Sequence, residues 1–530
     1  MKKYNKIVIA LTGFIALGSC TKLDENLNGT LTLPQAQESA DIAGLTKACY
    51  DAMNGPFQDQ TGVFCLQDMT SDDCIGPTRG GDWDDNGVWR VLQLHTWDAT
   101  NDRIVNAFNN LSKIVFNTTN LLNFAPPDNV VAQAKFLRAY AMFYILDLYG
   151  QVPFRDPGED LLQPSRVLTS GDALTQIITD LNDAIPNLAN GPANTANKWA
   201  AKALLMKCYI NKGAFANRQS PSFDAGDMNQ VISIADDIID NGSFSLADNF
   251  FDNFVRNNDA KSTENIFTLA NSSAQAGNVR FHWHCGTHYN QTPSGWNGFT
   301  TLSDFYDKFE DADQRKGMAY NEDGYDFTEN TGMRVGFLEG QQYGPADDDK
   351  DGKKDRDVSG QYIIYPLKDR AGNPLVFTRD ISPVVSGNVE TPGIRVVKYV
   401  PDMLSDWSDD NNNGNASNDF VMLRYADVLL MKAEALLRTG NTADALTIVN
   451  EIRDARGAST LLSVDLNAVL DERGRELYWE GWRRNDLIRF GKFLEPDQIR
   501  TTVSDPKYLL FPIPSSALAV NPNLTQNPGY

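Results

Sequence analysis

The stretch LRYADVLLMKAEALLRTGNTADALTIVNEIRDARG, residues 423–457, decides the fold. Its apolar residues recur at helical spacing up to Gly440, a residue suited to the left-handed turn that ends a helix. Ala443, Ala445, Leu446, Val449 and Ile452 then stripe a second helix. Small residues at Ala433, Ala435 and Ala445 let the two helices approach closely. A helical pair of about 34 residues cannot bury its apolar face alone, so it must stack on neighbours of the same kind. The same period runs through VVAQAKFLRAYAMFYILDLYGQVPF (130–154), which stops at Gly150 and Pro153. DALTQIITDLNDAIPNLANG (172–191) and NKWAAKALLMKCYINKG (197–213) make another pair, and DMNQVISIADDIIDNG (227–242) starts a third.

These units predict a mainly α chain, a tetratricopeptide-repeat-like helical scaffold that forms an α/α superhelix. Residues 271–419 differ. They are rich in Gly, Asn, Asp and Pro, with short β-type runs such as YIIYPL (362–367) and IRVVKYV (394–400). The reading is a loop-rich insert carried on a helical scaffold, the loops binding and the scaffold positioning them. The resulting division is a leader at 1–19, a tether at 20–35, helical regions at 36–270 and 420–530, and the insert at 271–419 between them. A chain of 530 residues also exceeds the roughly 250–300 at which single cores stop growing, so two subdomains are expected.

MKKYNKIVIALTGFIALGSC (1–20) opens with Lys2, Lys3 and Lys6 and continues in an apolar run too short to span a bilayer. Leu17-Gly18-Ser19-Cys20 resembles a bacterial lipobox, which makes Cys20 the lipidation site. Two or more acyl chains there would anchor the chain stably to a membrane. The net charge of −22 becomes −25 once the three leader lysines are removed. That sign argues against nucleic acid and anionic lipid surfaces as partners. Five cysteines remain beyond Cys20, an odd number and no disulfide framework. Cys49 and Cys208 fall in helical apolar patterns as core residues, and Cys65 and Cys74 flank a short loop and are a candidate pair.

LRYADVLLMKAEALLRTG (423–440), ERGRELYWEGWRRNDLIRFGKF (472–493) and YLLFPIPSSALAVNPNLTQNPGY (508–530) together resemble the SusD/RagB family of surface lipoproteins. AKFLRAYAMFYILDLYGQVP (134–153), NKWAAKALLMKCYI (197–210) and GWNGFTTLSDFYDKFEDADQRK (295–316) resemble further family blocks. The resemblance implies a tetratricopeptide-repeat scaffold lying on a SusC-like TonB-dependent outer-membrane transporter. It also implies capture of nutrients, most often oligosaccharides, at the surface of a Gram-negative cell. Lys22, Asp24 and Glu25 resemble the family's export tag, interrupted by Leu23. The family usually has Trp and Tyr where Phe108 and Leu111 fall.

Residues 472–493 read as one charged helix with Glu472, Glu476 and Glu480 on one face, and paired carboxylates can hydrolyse glycosides. Arg473, Arg475, Arg483 and Arg484 stand close enough to neutralise them, so structural ion pairs are the expectation. No G-x-S-x-G, H-E-x-x-H, P-loop or G-x-G-x-x-G is found in the sequence, and the chain reads as a non-enzyme.

Two tracts combine aromatics with Gly, Asn and charge: SDDCIGPTRGGDWDDNGVWRVLQLHTW (71–97) and FHWHCGTHYNQTPSGWNGF (281–299). Sugar rings have apolar C–H faces that stack on indole, and hydroxyls that need polar partners. Trp83, Trp89, Trp283, Trp296 and Tyr289 are the candidate platforms, with Asp73, Arg79, Asn297 and His282 as candidate polar contacts. Trp97 is assigned to the core. His282 and His284 would share one side of a strand and His288 could return across a turn, so with Cys285 they could hold zinc. A ligand-facing or structural role is the competing reading, and the favoured one.

Asp347-x-Asp349-x-Asp351-Gly352, Asp409-x-Asn411-x-Asn413-Gly414 and Asp82-x-Asp84-x-Asn86-Gly87 match the first half of an EF-hand loop without its closing Glu. Asp347, Asp349 and Asp351 are the preferred calcium candidates; no cofactor is required for binding. The functional expectation is glycan capture and delivery to the transporter, with oligopeptide capture as the alternative. A surface glycosidase and a purely structural gating subunit are the other readings.

Overall fold

The computed structural model describes residues 37, 39–272, 279–318, 320–322, 325–326, 334–345, 354–360, 362–384, 388–402 and 415–530. The leader, Cys20 and the tether lie outside the described residues, as do Asp347, Asp349, Asp351 and the 409–414 tract. Residues 41–530 form one compact unit.

Ten longer helices carry the fold among the described residues. They are α1 (Ile42–Gln58), α2 (Asp102–Leu122), α3 (Asp128–Tyr149), α4 (Ser170–Ala184), α5 (Lys198–Ala216) and α6 (Ala225–Asn241). After the insert come α7 (Tyr425–Arg438), α8 (Thr442–Ala455), α9 (Leu466–Leu477) and α10 (Arg483–Arg489). Side-chain caps set several starts: Asn101, Asn197, Asp224 and Asn441 each accept from a backbone N–H of the first turn. From α1 to α8 each helix packs on the next, α6 meeting α7 although the insert separates them in sequence. This is the α/α array that the periodicity predicted, with the insert looping out of it.

α3 is the centre. Every residue from Phe136 to Tyr149 is buried, and the helix ends where Gly150 turns left-handed at φ 73°. A Cβ on Gly150 would also stand 2.9 Å from Leu510, so both backbone and space require glycine. Cys49 and Cys208 are buried in this core as expected, and Trp97 is buried with its indole N–H donated 2.7 Å to the Tyr530 hydroxyl.

The insert leaves and rejoins the array through one antiparallel pair, Asn265–Leu269 against Phe420–Arg424. Within it, Arg395–Val397, Val335–Leu338 and Gly317–Met318 form a three-stranded antiparallel sheet. Bridges from Ile75 to Thr300 and from Thr301 to Ile394 tie the 71–97 tract to that sheet.

Three expectations are corrected here. Residues 472–493 are not one helix: α9 and α10 are separated by a turn in which Trp479 (φ 58°) and Gly481 (φ 78°) are left-handed. The expected structural ion pairs of the three glutamates are present, their side chains buried, but their partners are largely arginines from elsewhere in the chain. Glu476 meets Arg315, Arg424 and Arg456; Glu472 meets Arg315, Arg453 and Arg475; Glu480 meets Arg424 and Lys398. Arg473, Arg483 and Arg484 instead serve Asp486, Asp72 and Asp147. Last, Cys65 and Cys74 do not pair; both are buried free thiols.

Candidate ligand surface

The 71–97 and 281–299 tracts meet. Trp83 donates its indole N–H 2.8 Å to the Trp296 carbonyl, and the two rings lie 6.5 Å apart and tilted. The backbone around Trp83 is unusual: Gly80, Gly81, Trp83, Asp85, Asn86 and Gly87 all have positive φ. A bulky residue such as Trp at φ 61° is strained by about 1–3 kcal/mol and persists only where its surroundings hold it. Here Asp84 pairs with Arg90 at 2.6 Å, Asp85 accepts the Trp89 indole N–H at 2.7 Å, and the Trp83 ring packs on Phe299 and Trp89. Glycine is required opposite it, because a Cβ on Gly298 would lie 2.4 Å from the Trp83 ring.

The second tract opens with a single helical turn, Phe281–His284, and then doubles back. Trp296, Asn297 and Gly298 donate backbone N–H to the carbonyls of His284, Thr287 and Cys285 at 2.7–2.8 Å. The outcome is a Trp296 side chain that remains 43% exposed over Phe281, with the edge of His284 against it. Trp83, against it, and Tyr289, whose hydroxyl lies 3.4 Å from Asp82, are half-buried.

A third tract, which the sequence reading did not single out, completes the surface. The Arg370 guanidinium lies 4.1 Å from the Tyr289 ring centre, bonds Glu390 through both its side chain and its backbone N–H, and stands 3.7 Å from Asp82. His288 meets the same Glu390 at 3.0 Å, and burial holds the imidazole below its ordinary pKa. Burial opposes the Glu390 charge, but the Arg370 backbone and guanidinium bonds outweigh it and hold the carboxyl below its usual range. The hydrogen bond to Glu390 raises Arg370 in turn. Arg370 sits in the polar turn KDRAGNP (368–374), which carries no aromatic signal and gives no local hint of a site.

Several predicted contacts are instead buried supports. Trp283 and Trp89 are core residues at 0% and 4% exposure. His282 is sealed between Phe64, Tyr399 and Phe420, with Nε2 3.1 Å from the Gln58 carbonyl, and burial pulls its pKa to about 3, so it is neutral. Asp73 is buried, accepts from Ser71 Oγ at 2.7 Å, and is pushed by that burial to about 7. Asn297 is buried at φ 54°, its Oδ1 accepting from Arg395. Arg79 is buried, its guanidinium donating, among the described residues, to the carbonyl oxygens of Gly298, Val389 and Pro392.

The zinc reading is overturned. His282 and His284 lie on a helical turn rather than a strand, so they point into different surroundings, and His288 faces Glu390. Among the described residues no group of three or more His, Cys, Asp or Glu is arranged to hold a metal. The Asp82–Gly87 tract is likewise a plain turn, its Asp84 engaged by Arg90 and Asp85 by Trp89.

A cavity of about 760 Å³ is bounded by Tyr306, Lys316, Arg334, Phe337, Glu339 and Arg379 among others. Lys316 pairs with Asp311 and Arg379 with Asp307 and Glu339.

The comparisons agree with this architecture. A family model described as the SusD family matches residues 250–530, and one described as starch-binding associating with outer membrane matches residues 66–210. The starch-binding protein SusD of Bacteroides thetaiotaomicron is 25% identical over 75% of this chain and 72% of its own length. A SusD-like protein, P25, of Formosa agariphila is 25% identical across the whole of both chains. Among solved structures, a laminarin-binding SusD-like protein superposes with a TM-score of 0.68 at 20% identity, over 92% of this chain and 99% of that one. Surface glycan-binding protein A from Bacteroides thetaiotaomicron, in complex with laminarihexaose, gives 0.66 at 18% identity over 92% and 98%.

Proposed function

The chain belongs to the SusD family, and from that premise we propose that it is a cell-surface glycan-binding lipoprotein. Its Trp83–Tyr289–Trp296 surface captures an oligosaccharide or polysaccharide and a SusC-like TonB-dependent transporter receives it. The observation that carries this reading is Trp296, a large aromatic held 43% exposed by a fixed backbone, with Trp83 against it and Tyr289 reaching Asp82, the neighbour of Trp83. Indole and phenol faces take the C–H faces of a sugar, while Arg370 donates to its hydroxyls and Asp82 and Glu390 accept from them. The names of the relatives, starch-binding and laminarin-binding among them, support the ligand class. Cys20 supplies the lipid anchor and the outer membrane is the location, in line with the matched description.

The reading is of a binder, not a hydrolase. Glycosidase chemistry needs a carboxylic acid and a carboxylate free to act on the scissile bond. Glu472 and Glu476 are buried among arginines: burial opposes their charge, but Arg315 and its neighbours prevail, lowering Glu472 to about 2 and Glu476 well below its ordinary value.

Calorimetry of the chain from Thr21 onward against neutral polysaccharides, their oligosaccharides and a peptide pool tests the proposal. Binding of one glycan, weakened by Trp296→Ala, is the expected result; no glycan binding at all would refute it. Oligopeptide capture is the second reading, favoured by the 760 Å³ cavity with its carboxylates, cations and the strand edges at Gly317 and Gly340. Peptide binding weakened by Glu339→Ala and indifferent to Trp296→Ala would select it.

A further inference from the structure

Two guanidiniums lie buried beneath the aromatic surface without a carboxylate between them. Arg79 is 5% and Arg395 0% exposed, and among the described residues neither is paired with Asp or Glu. This sets them apart from the buried Arg315, Arg424, Arg456 and Arg489, each of which meets at least one carboxylate at 3.1 Å or less. Arg79 and Arg395 spend their donors on main-chain and amide oxygens from two separate tracts, 297–298 and 389–393. Arg79 donates to the carbonyl of Gly298 at 3.1 Å and to those of Val389 and Pro392 at 3.2 and 2.6 Å. Arg395 donates to Asn297 Oδ1 at 2.7 Å and to the carbonyls of Glu390, Pro392 and Gly393. Through its own backbone Arg79 also closes the turn to Asp82, the residue before Trp83.

The connected positions are the backbone neighbours of the surface side chains. Asn297 and Gly298 follow Trp296, Asp82 precedes Trp83, and Glu390 holds Arg370 against Tyr289. Two like charges buried side by side weaken the fold, since each resists the other and both lose hydration. Around them the Nε atoms of Arg79 and Arg395 and the Nδ2 of Asn297 are buried without a hydrogen-bond partner. The left-handed Trp83 and these unmet polar atoms under one surface are what a chain tolerates where geometry serves a site rather than stability.

We propose that Arg79 and Arg395 form a positioning pair that holds the Trp83, Trp296 and Tyr289 tracts in their binding geometry before ligand arrives. The pair does not touch the glycan; it presets the loops so that little ordering is left for binding. The proposal rests on the glycan-capture reading for its purpose but not for its test.

Hydrogen exchange followed by mass spectrometry over residues 79–90 and 289–299, in wild type, Arg395→Met, Arg79→Met and the milder Arg395→Lys, reads the positioning directly. Exchange in these segments is expected to accelerate about tenfold or more in the variants, corresponding to loss of local order, while α3 and α7 keep wild-type protection and the thermal midpoint stays level or rises. Titration with laminarihexaose as first probe is expected to give a Kd at least about tenfold weaker in each variant. Wild-type exchange in both segments in all three variants would overturn the pair as a positioning element. A fall in the thermal midpoint with uniform acceleration everywhere would also overturn it, reducing the pair to ordinary packing. Trp296→Ala separates the two proposals: it should weaken glycan binding about thirtyfold and leave exchange at 79–90 as in wild type. If Trp296→Ala binds normally, glycan capture at this surface fails while the exchange result still judges the pair.

Discussion

Trp296 and Trp283 stand in the same loop tract and differ in everything that matters for a ligand. Trp283 is wholly buried, so Trp283→Ala should cost about 3–5 kcal/mol of stability by chemical denaturation. Trp296→Ala should leave stability within about 0.5 kcal/mol yet weaken glycan binding by about 2 kcal/mol, roughly thirtyfold in Kd, by calorimetry. Composition could bring both residues to notice but could not separate them, because exposure is set by the doubling back at His284 and Thr287 and not by any local pattern. Asp73 makes the same point for charge. Chosen as a surface contact, it is a buried carboxyl raised to about 7 by desolvation, with Asp68 raised beside it. A carboxyl whose folded pKa lies above its unfolded value takes up a proton on folding. Its stabilising contribution is therefore full below about 4, the ordinary carboxyl pKa, and is lost as pH rises through about 7. Thermal midpoints of Asp73→Asn should accordingly fall less between pH 5 and pH 8 than those of wild type; an equal fall in both would refute this account.

At the scale of elements, the helices were legible and the loops were not. Periodicity located α3 to α8 because each must turn an apolar stripe toward its neighbour, and caps such as Asn197 and Asp224 are written in the sequence. The break between α9 and α10 was hidden. Helical spacing of Glu472, Glu476 and Glu480 continues across it, while the left-handed Trp479 and Gly481 are held by Asp73 and Asp68, which accept their backbone N–H from far away in sequence. The purpose of that break is to bring Glu480 back onto Arg424 and Lys398. Glu476 is the centre of this polar core, taking three arginines from the 313–315 turn, the 420–424 strand and the end of α8. Glu476→Gln should leave those guanidiniums short of one buried negative charge and cost about 3–5 kcal/mol in urea unfolding. No glycan-hydrolysing activity should be present to lose; measurable hydrolysis by wild type that vanishes in Glu476→Gln would restore the catalytic reading.

For the whole molecule, the array and the insert divide the labour. α6 packs on α7 and the 265–269 strand pairs with 420–424, so the scaffold is continuous across the insertion and the loops it carries can specialise. That is why the α/α class could be read from one stretch of sequence while the surface needed the assembled chain: its parts come from residues 79–89, 281–298 and 370–395, and only the packed sheet brings them together. On the proposed function, a binder built this way acts for the cell only if it stays where the glycan arrives and where the proposed transporter sits. None of the described helices is long and apolar enough to cross a membrane; the retaining force proposed for this chain is the acyl chains at Cys20. One chain alone holds a protein marginally; two or more hold it stably. Cys20→Ala, expressed from its own leader, should therefore leave the membrane fraction and lose incorporation of labelled palmitate. The released protein should keep its glycan Kd, since the surface formed by Trp83, Tyr289 and Trp296 lies within the compact 41–530 unit. Growth on the captured glycan should fail nonetheless, because capture without retention delivers nothing to the transporter. Membrane retention of Cys20→Ala would remove the lipid anchor from this account, and a weakened Kd in the released protein would mean that the tether contributes to the site.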